Sequence, residues 1–136
     1  MQLNLRNFII KTIHYGLIGL VGVVINFVAF HASLLLGVTP WLSNDIAIAV
    51  AVSSNFLMAL KTRLFEDAPQ TNALRWKIKK LLHWSTCSAI GIAINLLTFY
   101  LAEPRFGSTE SNLAATFAGM FISYLVAVST KLFPVN

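Results

Sequence analysis

Apolar residues run through this chain in four long blocks, at about residues 13–36, 41–60, 81–102 and 112–132. Each is as long as the ~20-residue helix that crosses a hydrocarbon core. The pattern predicts an all-α membrane protein of four transmembrane helices. Turn-forming and polar residues separate the blocks. Gly37-Val-Thr-Pro40 predicts a tight turn between the first pair, and Glu103-Pro-Arg-Phe-Gly107-Ser-Thr-Glu110 a loop between the second pair. Residues 61–80 form the long polar stretch in the middle. Ser43-Asn44, and Ser108 to Asn112, are expected to cap helices two and four.

The second half of this pattern repeats the first. With His14-Tyr15 laid on His83-Trp84, Gly22-Val-Val-Ile-Asn26 falls on Gly91-Ile-Ala-Ile-Asn95. Dropping one loop residue puts Ser43-Asn44 on Ser111-Asn112, and Thr62-Arg63-Leu64-Phe65 on Thr130-Lys131-Leu132-Phe133. Each copy holds two spans, so both enter the membrane from the same side. The repeats are then parallel, related by an axis along the membrane normal. The expected organisation is one transmembrane domain over 1–136, with repeat one at about 8–65, a cytoplasmic basic segment at about 66–80 and repeat two at about 81–133.

Composition supports the membrane reading. Hydrophobic residues are 57% and charged residues 11% of the chain, with a mean hydropathy of +0.72. That is roughly half the ~25% charge of a soluble domain. Arg6 and Lys11 ahead of the first run resemble the start of a signal peptide, but the run is long and has an internal copy, so a retained helix is expected. Of the ten Lys and Arg residues, only Arg105 falls on the side of the outer loops. The positive-inside rule therefore puts both termini and the central segment in the cytoplasm, and the cytoplasmic membrane is the expected location. The net charge of +5 follows from this topology and needs no nucleic-acid partner.

Polar residues inside the spans are the candidate chemistry. Asn26 and Asn95 each lie twelve residues from the neighbouring His14 or His83, about 18 Å of helical rise. An amide at that depth needs a hydrogen-bond partner. It either ties helices together or lines a polar path for a hydroxylated ligand. Helices two and four carry matched ladders, Ala47, Ala51, Asn55, Ala59 and Ala115, Gly119, Ser123, Ala127. These are expected to pack helices closely, within the bundle or between copies of a homo-oligomer. Asn55 and Ser123 each put one polar group in a ladder. Cationic groups gather on the inner side: Arg75, Lys77, Lys79 and Lys80, with Lys61, Arg63, Lys131, His14 and His83. They suit anionic membrane lipid or a phosphate-bearing headgroup. Cys87 is expected to be a small packing residue. No metal or other cofactor is expected. Neither is an enzyme: the sequence carries no phosphate loop and no nucleophile elbow. Asp45 lies near the outer mouth, and no span has a central carboxylate of the kind used by proton-coupled exporters.

These residues, in this order, resemble the GtrA-like family of small four-span membrane proteins. In that family each half opens with a basic–aromatic pair, a Val-Gly, and Asn or Asp seven residues on, matched by His14-Tyr15, Ile18-Gly19 and Asn26. Helix two of the family ends in Asn-Phe, a basic pair and an aromatic, matched by Asn55-Phe56, Lys61, Arg63 and Phe65. The likeness runs from about residue 8 to 133. The chain departs from the pattern at His14 and His83, where Arg is usual, and at Ser123-Tyr124, which replaces Asn-Phe in the second copy. The Trp usual before the terminal Phe is also missing.

The resemblance implies translocation of a polyprenyl-phosphate-linked sugar, such as undecaprenyl-phosphate glucose, for surface polysaccharide synthesis. Sugar hydroxyls would pass Asn26, Asn55, Asn95 and Ser123 while the phosphate meets the inner cations. The alternatives are a non-transporting partner subunit of a membrane glycosyltransferase and a small multidrug-type exporter.

Overall fold

The computed structural model describes residues 5–61 and 73–129, without the side chains at 5–8, 11, 73, 76 and 77. Four helices account for nearly all of this: α1 Leu5–Leu35, α2 Pro40–Lys61, α3 Ala73–Phe106 and α4 Ser108–Ser129. All four are long and apolar enough to cross a membrane. Large side chains such as Leu20, Val24, Leu57, Leu97 and Phe121 are exposed on all four. Lipid is the solvent that accepts such surfaces, and the chain is a multi-pass membrane protein.

The first connection is as short as the sequence pattern predicts, and the α3–α4 connection is shorter. At the end of α1, Gly37 has φ +80°, its N–H donates to the Leu34 carbonyl, and the Val38 N–H donates to that of Ser33. These two bonds form a Schellman cap, which favours glycine because a Cβ is strained at that φ. Pro40 then takes the first position of α2, and the Ser43 N–H reaches the Thr39 carbonyl. Proline suits that position, since its missing N–H had no helical acceptor. Ser43 and Asn44 are thus interior helix residues and not caps; both are fully buried.

The expected loop from Glu103 to Glu110 contracts to one residue, Gly107, at φ +84°. Pro104 lies inside α3, close enough to its end that the helix continues only to Phe106. α4 begins at Ser108, within the expected Ser108–Asn112 range, but Ser111 and Asn112 lie inside the helix and are buried, so they do not cap it. At its other end α3 takes in residues 73–80, which the polarity pattern assigned to the central segment. Its 34 residues rise about 50 Å, well beyond a core about 30 Å thick.

Helix α1 packs along α2 and α3 along α4, and the two hairpins meet through narrower α1–α4 and α2–α3 contacts. Glycines allow the closest approaches. A Cβ on Gly119 would lie 2.6 Å from the Gly91 carbonyl oxygen, so α3 and α4 cross backbone to backbone. Gly22 meets the Asn55 side chain in the same way on the α1–α2 side. Both small ladders are consumed here: Ala47, Ala51, Ala59, Ala115, Gly119 and Ala127 are all buried within the chain. Any contact between copies must use another face.

Two apolar clusters occupy the ends of the interior. One joins Ile18, Ala59, Trp84, Cys87 and Ala127, with Tyr15 and Phe56 packed against them. The other joins Phe30, Ala47, Phe99 and Ala115. A layer of buried asparagines runs alongside the second cluster and into the space between the two.

Candidate functional site

Each helix contributes a buried asparagine to that layer: Asn26 from α1, Asn44 from α2, Asn95 from α3 and Asn112 from α4, none more than 5% exposed. They are linked. Asn112 Nδ2 donates to Asn44 Oδ1 at 2.9 Å, and Asn44 Nδ2 donates to Asn95 Oδ1 at 3.2 Å. Thr116 Oγ1 lies 3.0 Å from Asn26 Oδ1 and 2.7 Å from the Asn112 carbonyl, two acceptors for one hydroxyl hydrogen. The layer is rich in acceptors, and Oδ1 of both Asn55 and Asn112 is buried without a hydrogen-bond donor.

Beside this layer lies a cavity of about 90 Å³. Asn26, Asn55, Asn95 and Ser123, the four residues expected to meet a sugar, all line it. The remaining polar lining includes Ser88 and Thr116, and the cavity ends on Tyr15 and Trp84. Around that end Tyr15 contacts Trp84 and Tyr124 at centroid distances of 6.0 and 5.3 Å, and Phe56 contacts Trp84 at 6.1 Å. At the opposite end of the bundle Phe30 meets Phe99 edge to face at 6.0 Å. His31 crosses from α1 to α4 there, its Nδ1 donating to the Phe27 carbonyl and its Nε2 lying 3.3 Å from Thr109 Oγ1. In the neutral ring that arrangement has Nε2 accepting from the threonine hydroxyl.

The described members of the cationic group do not line the cavity. Lys61, Arg75, Lys79 and His14 are exposed, and Lys80 and His83 are half-buried. His14 Nδ1 donates to the Ile10 carbonyl one turn back. Arg63 and Lys131, and the side chain of Lys77, lie outside the described residues. Among the described residues no three His, Cys, Asp or Glu side chains cluster as metal ligands.

Sequence reasoning missed Asn44, Asn112, Thr116 and Ser88. For the first two a signal existed: the repeat sets Asn44 on Asn112, and a capping role does not require burial on both copies. Thr116 and Ser88 carried none, because their counterparts, Ile48 and Gly19, are apolar.

A family model described as GtrA/DPMS, transmembrane domain, matches residues 14–129. The chain belongs to this family. The matched stretch opens on His14 and closes with the last residue of α4, so every cavity-lining residue of this GtrA/DPMS domain falls inside it. Membership supports a role in the handling of lipid-linked sugars in general. No curated protein and no solved structure matches the chain.

Proposed function

We propose that this GtrA/DPMS-family protein moves a polyprenyl-phosphate-linked sugar across the cytoplasmic membrane for cell-surface polysaccharide assembly. The observation that carries the reading is the convergence of Asn26, Asn55, Asn95 and Ser123, one from each helix, on a single cavity between the hairpins. Amides and hydroxyls both donate and accept, as sugar hydroxyls require, and the prenyl tail stays in lipid. The phosphate would meet the inner cations, Lys61, Arg63, Arg75, Lys77, Lys79, Lys80 and Lys131, with His14 and His83 beside them.

The protein is read as two parallel two-helix repeats with both termini cytoplasmic. Three contacts that join a residue to its own counterpart support this: Tyr15 with Trp84, Asn44 with Asn112, and Phe30 with Phe99. Others occur as mates. Tyr15 on Tyr124 is matched by Trp84 on Phe56, and His31 on Thr109 by Tyr100 on Trp41. Repeats that meet around a site at membrane depth are a recurring plan among carriers.

At about 90 Å³ the cavity is far below the ~300 Å³ at which ligand clefts begin. The conformation is therefore a closed one. A sugar passes when the hairpins part along the narrower α1–α4 and α2–α3 contacts, or when a second copy completes the path in a homo-oligomer.

One observation favours the second reading, a membrane partner of a glycosyltransferase: three of the asparagines, Asn44, Asn95 and Asn112, hydrogen-bond one another. The same reading calls for an exposed small-residue seam, and the ladders are buried. Translocation thus keeps the better support. The test is purified protein in liposomes containing a polyprenyl-phosphate sugar. Translocation predicts protein-dependent exposure of inner-leaflet sugar to an external reagent, reduced in Asn26→Ala. No exposure across a panel of sugars, from folded protein, would transfer support to the partner-subunit reading.

A further inference from the structure

We infer that the cavity is a hydrated site: it holds a small cluster of ordered waters at membrane depth in the resting protein. Truly empty cavities in proteins are lined by apolar groups, whereas polar ones of sufficient size fill with water. This one has room for several waters, at roughly 10–15 Å³ of such volume for each. Six Asn, Ser and Thr side chains line it, Asn26, Asn55, Ser88, Asn95, Thr116 and Ser123, while a buried water needs two to four partners.

The hydrogen-bond inventory points the same way. Asn55, one of the cavity-lining residues, has its Oδ1 buried without a donor, and Thr116 has one hydrogen between two acceptors. An unmade bond of this kind is costly where no bulk solvent can relieve it. Turning the Asn55 amide over only exchanges an unpartnered acceptor for an unpartnered donor. The terminal torsion of asparagine is broad, so a modest rotation presents either arm to a cavity water. Water serves as donor and acceptor and meets both cases.

The waters are not spread evenly over the wall. Aliphatic hydroxyls come only from α3 and α4, as Ser88, Thr116 and Ser123, while Tyr15 of α1 adds a phenol where the cavity ends. The aligned positions on α1 and α2 are Gly19, Ile48 and Asn55. The cluster therefore lies along the α3–α4 side, bridging it to Asn26 and Asn55. This hydration does not depend on the chain moving a sugar; if it does, the waters occupy the hydroxyl positions in the absence of the ligand.

The test is water-edited solid-state NMR of the unmodified protein in lipid bilayers, following magnetisation transfer from water to assigned side chains. Leu57 and Leu97, exposed and two residues from Asn55 and Asn95, serve as references at nearly the same depth. Hydration predicts build-up several-fold faster at the Asn55 and Asn95 amides and at Ser123 than at the two leucines. Build-up at all three no faster than at the leucines would mean a dry cavity and overturn the inference. Because neither ligand nor transport enters the measurement, its failure would leave the translocation reading untouched.

Discussion

At the residue scale, positions that look interchangeable in sequence are separated sharply by what surrounds them. Gly16 and Gly91 are both helical glycines. A Cβ on Gly16 meets nothing within 4 Å, while one on Gly91 falls on the Ser123 hydroxyl and the Gly119 carbonyl. Gly91→Ala is expected to lower stability by about 1–3 kcal/mol through overpacking. Gly16→Ala should be neutral or stabilising by under about 1 kcal/mol, since alanine is the better helix former. Thermal unfolding of both variants in mild detergent checks the contrast. Asn44 and Asn112 make a second pair. Asn44→Ala strands two partners, Asn95 Oδ1 and Asn112 Nδ2, whereas Asn112→Ala strands only Asn44 Oδ1 and removes an acceptor that had no donor. Asn44→Ala is expected to be the costlier, by about 1–2 kcal/mol. Equal losses would show that the two bonds do not act as a chain.

At the element scale, the turns carry information that polarity obscures. Gly37 closes α1 at φ +80°. Gly37→Val should cost about 1–2 kcal/mol, and Gly37→Asn much less, because asparagine tolerates the left-handed region. A thermal-shift series over the three residues tests the order; no difference between Val and Asn would contradict the cap.

The four spans were legible in the sequence because a run of twenty apolar residues has one interpretation in lipid. Helix ends were less so. Ser43-Asn44 and Ser111-Asn112 carry capping residues just ahead of an apolar run, and the same residues serve a buried polar layer deep in the bundle. Pro40, at the first position of α2, was the better boundary signal. The basic residues after 73 read as a separate segment because charge breaks the apolar run, yet charge does not break a helix. α3 begins there and carries them beyond the core. Of the cavity, the asparagines and Ser123 were legible as polar groups out of place. Thr116 and Ser88 were not, since a single hydroxyl in a span can bond its own backbone and need no partner.

At the scale of the whole molecule, the architecture is two tight hairpins around a buried polar layer, with an aromatic cluster toward either end. The cavity is too small for a sugar, so the proposed translocation makes a mechanical demand: the hairpins must part. The α1–α4 contact offers a place to stop them, because a Cβ on Gly19 lies 2.7 Å from Met120 Sδ on the opposing hairpin. A disulfide between Gly19→Cys and Met120→Cys, in a Cys87→Ser background, would hold α1 to α4. The most direct test is sugar-lipid exposure in liposomes by this variant, oxidised and then reduced. The account predicts exposure by the reduced protein, loss on oxidation, and recovery with reductant. Exposure that continues unchanged with the hairpins locked would place the path outside the bundle and contradict it.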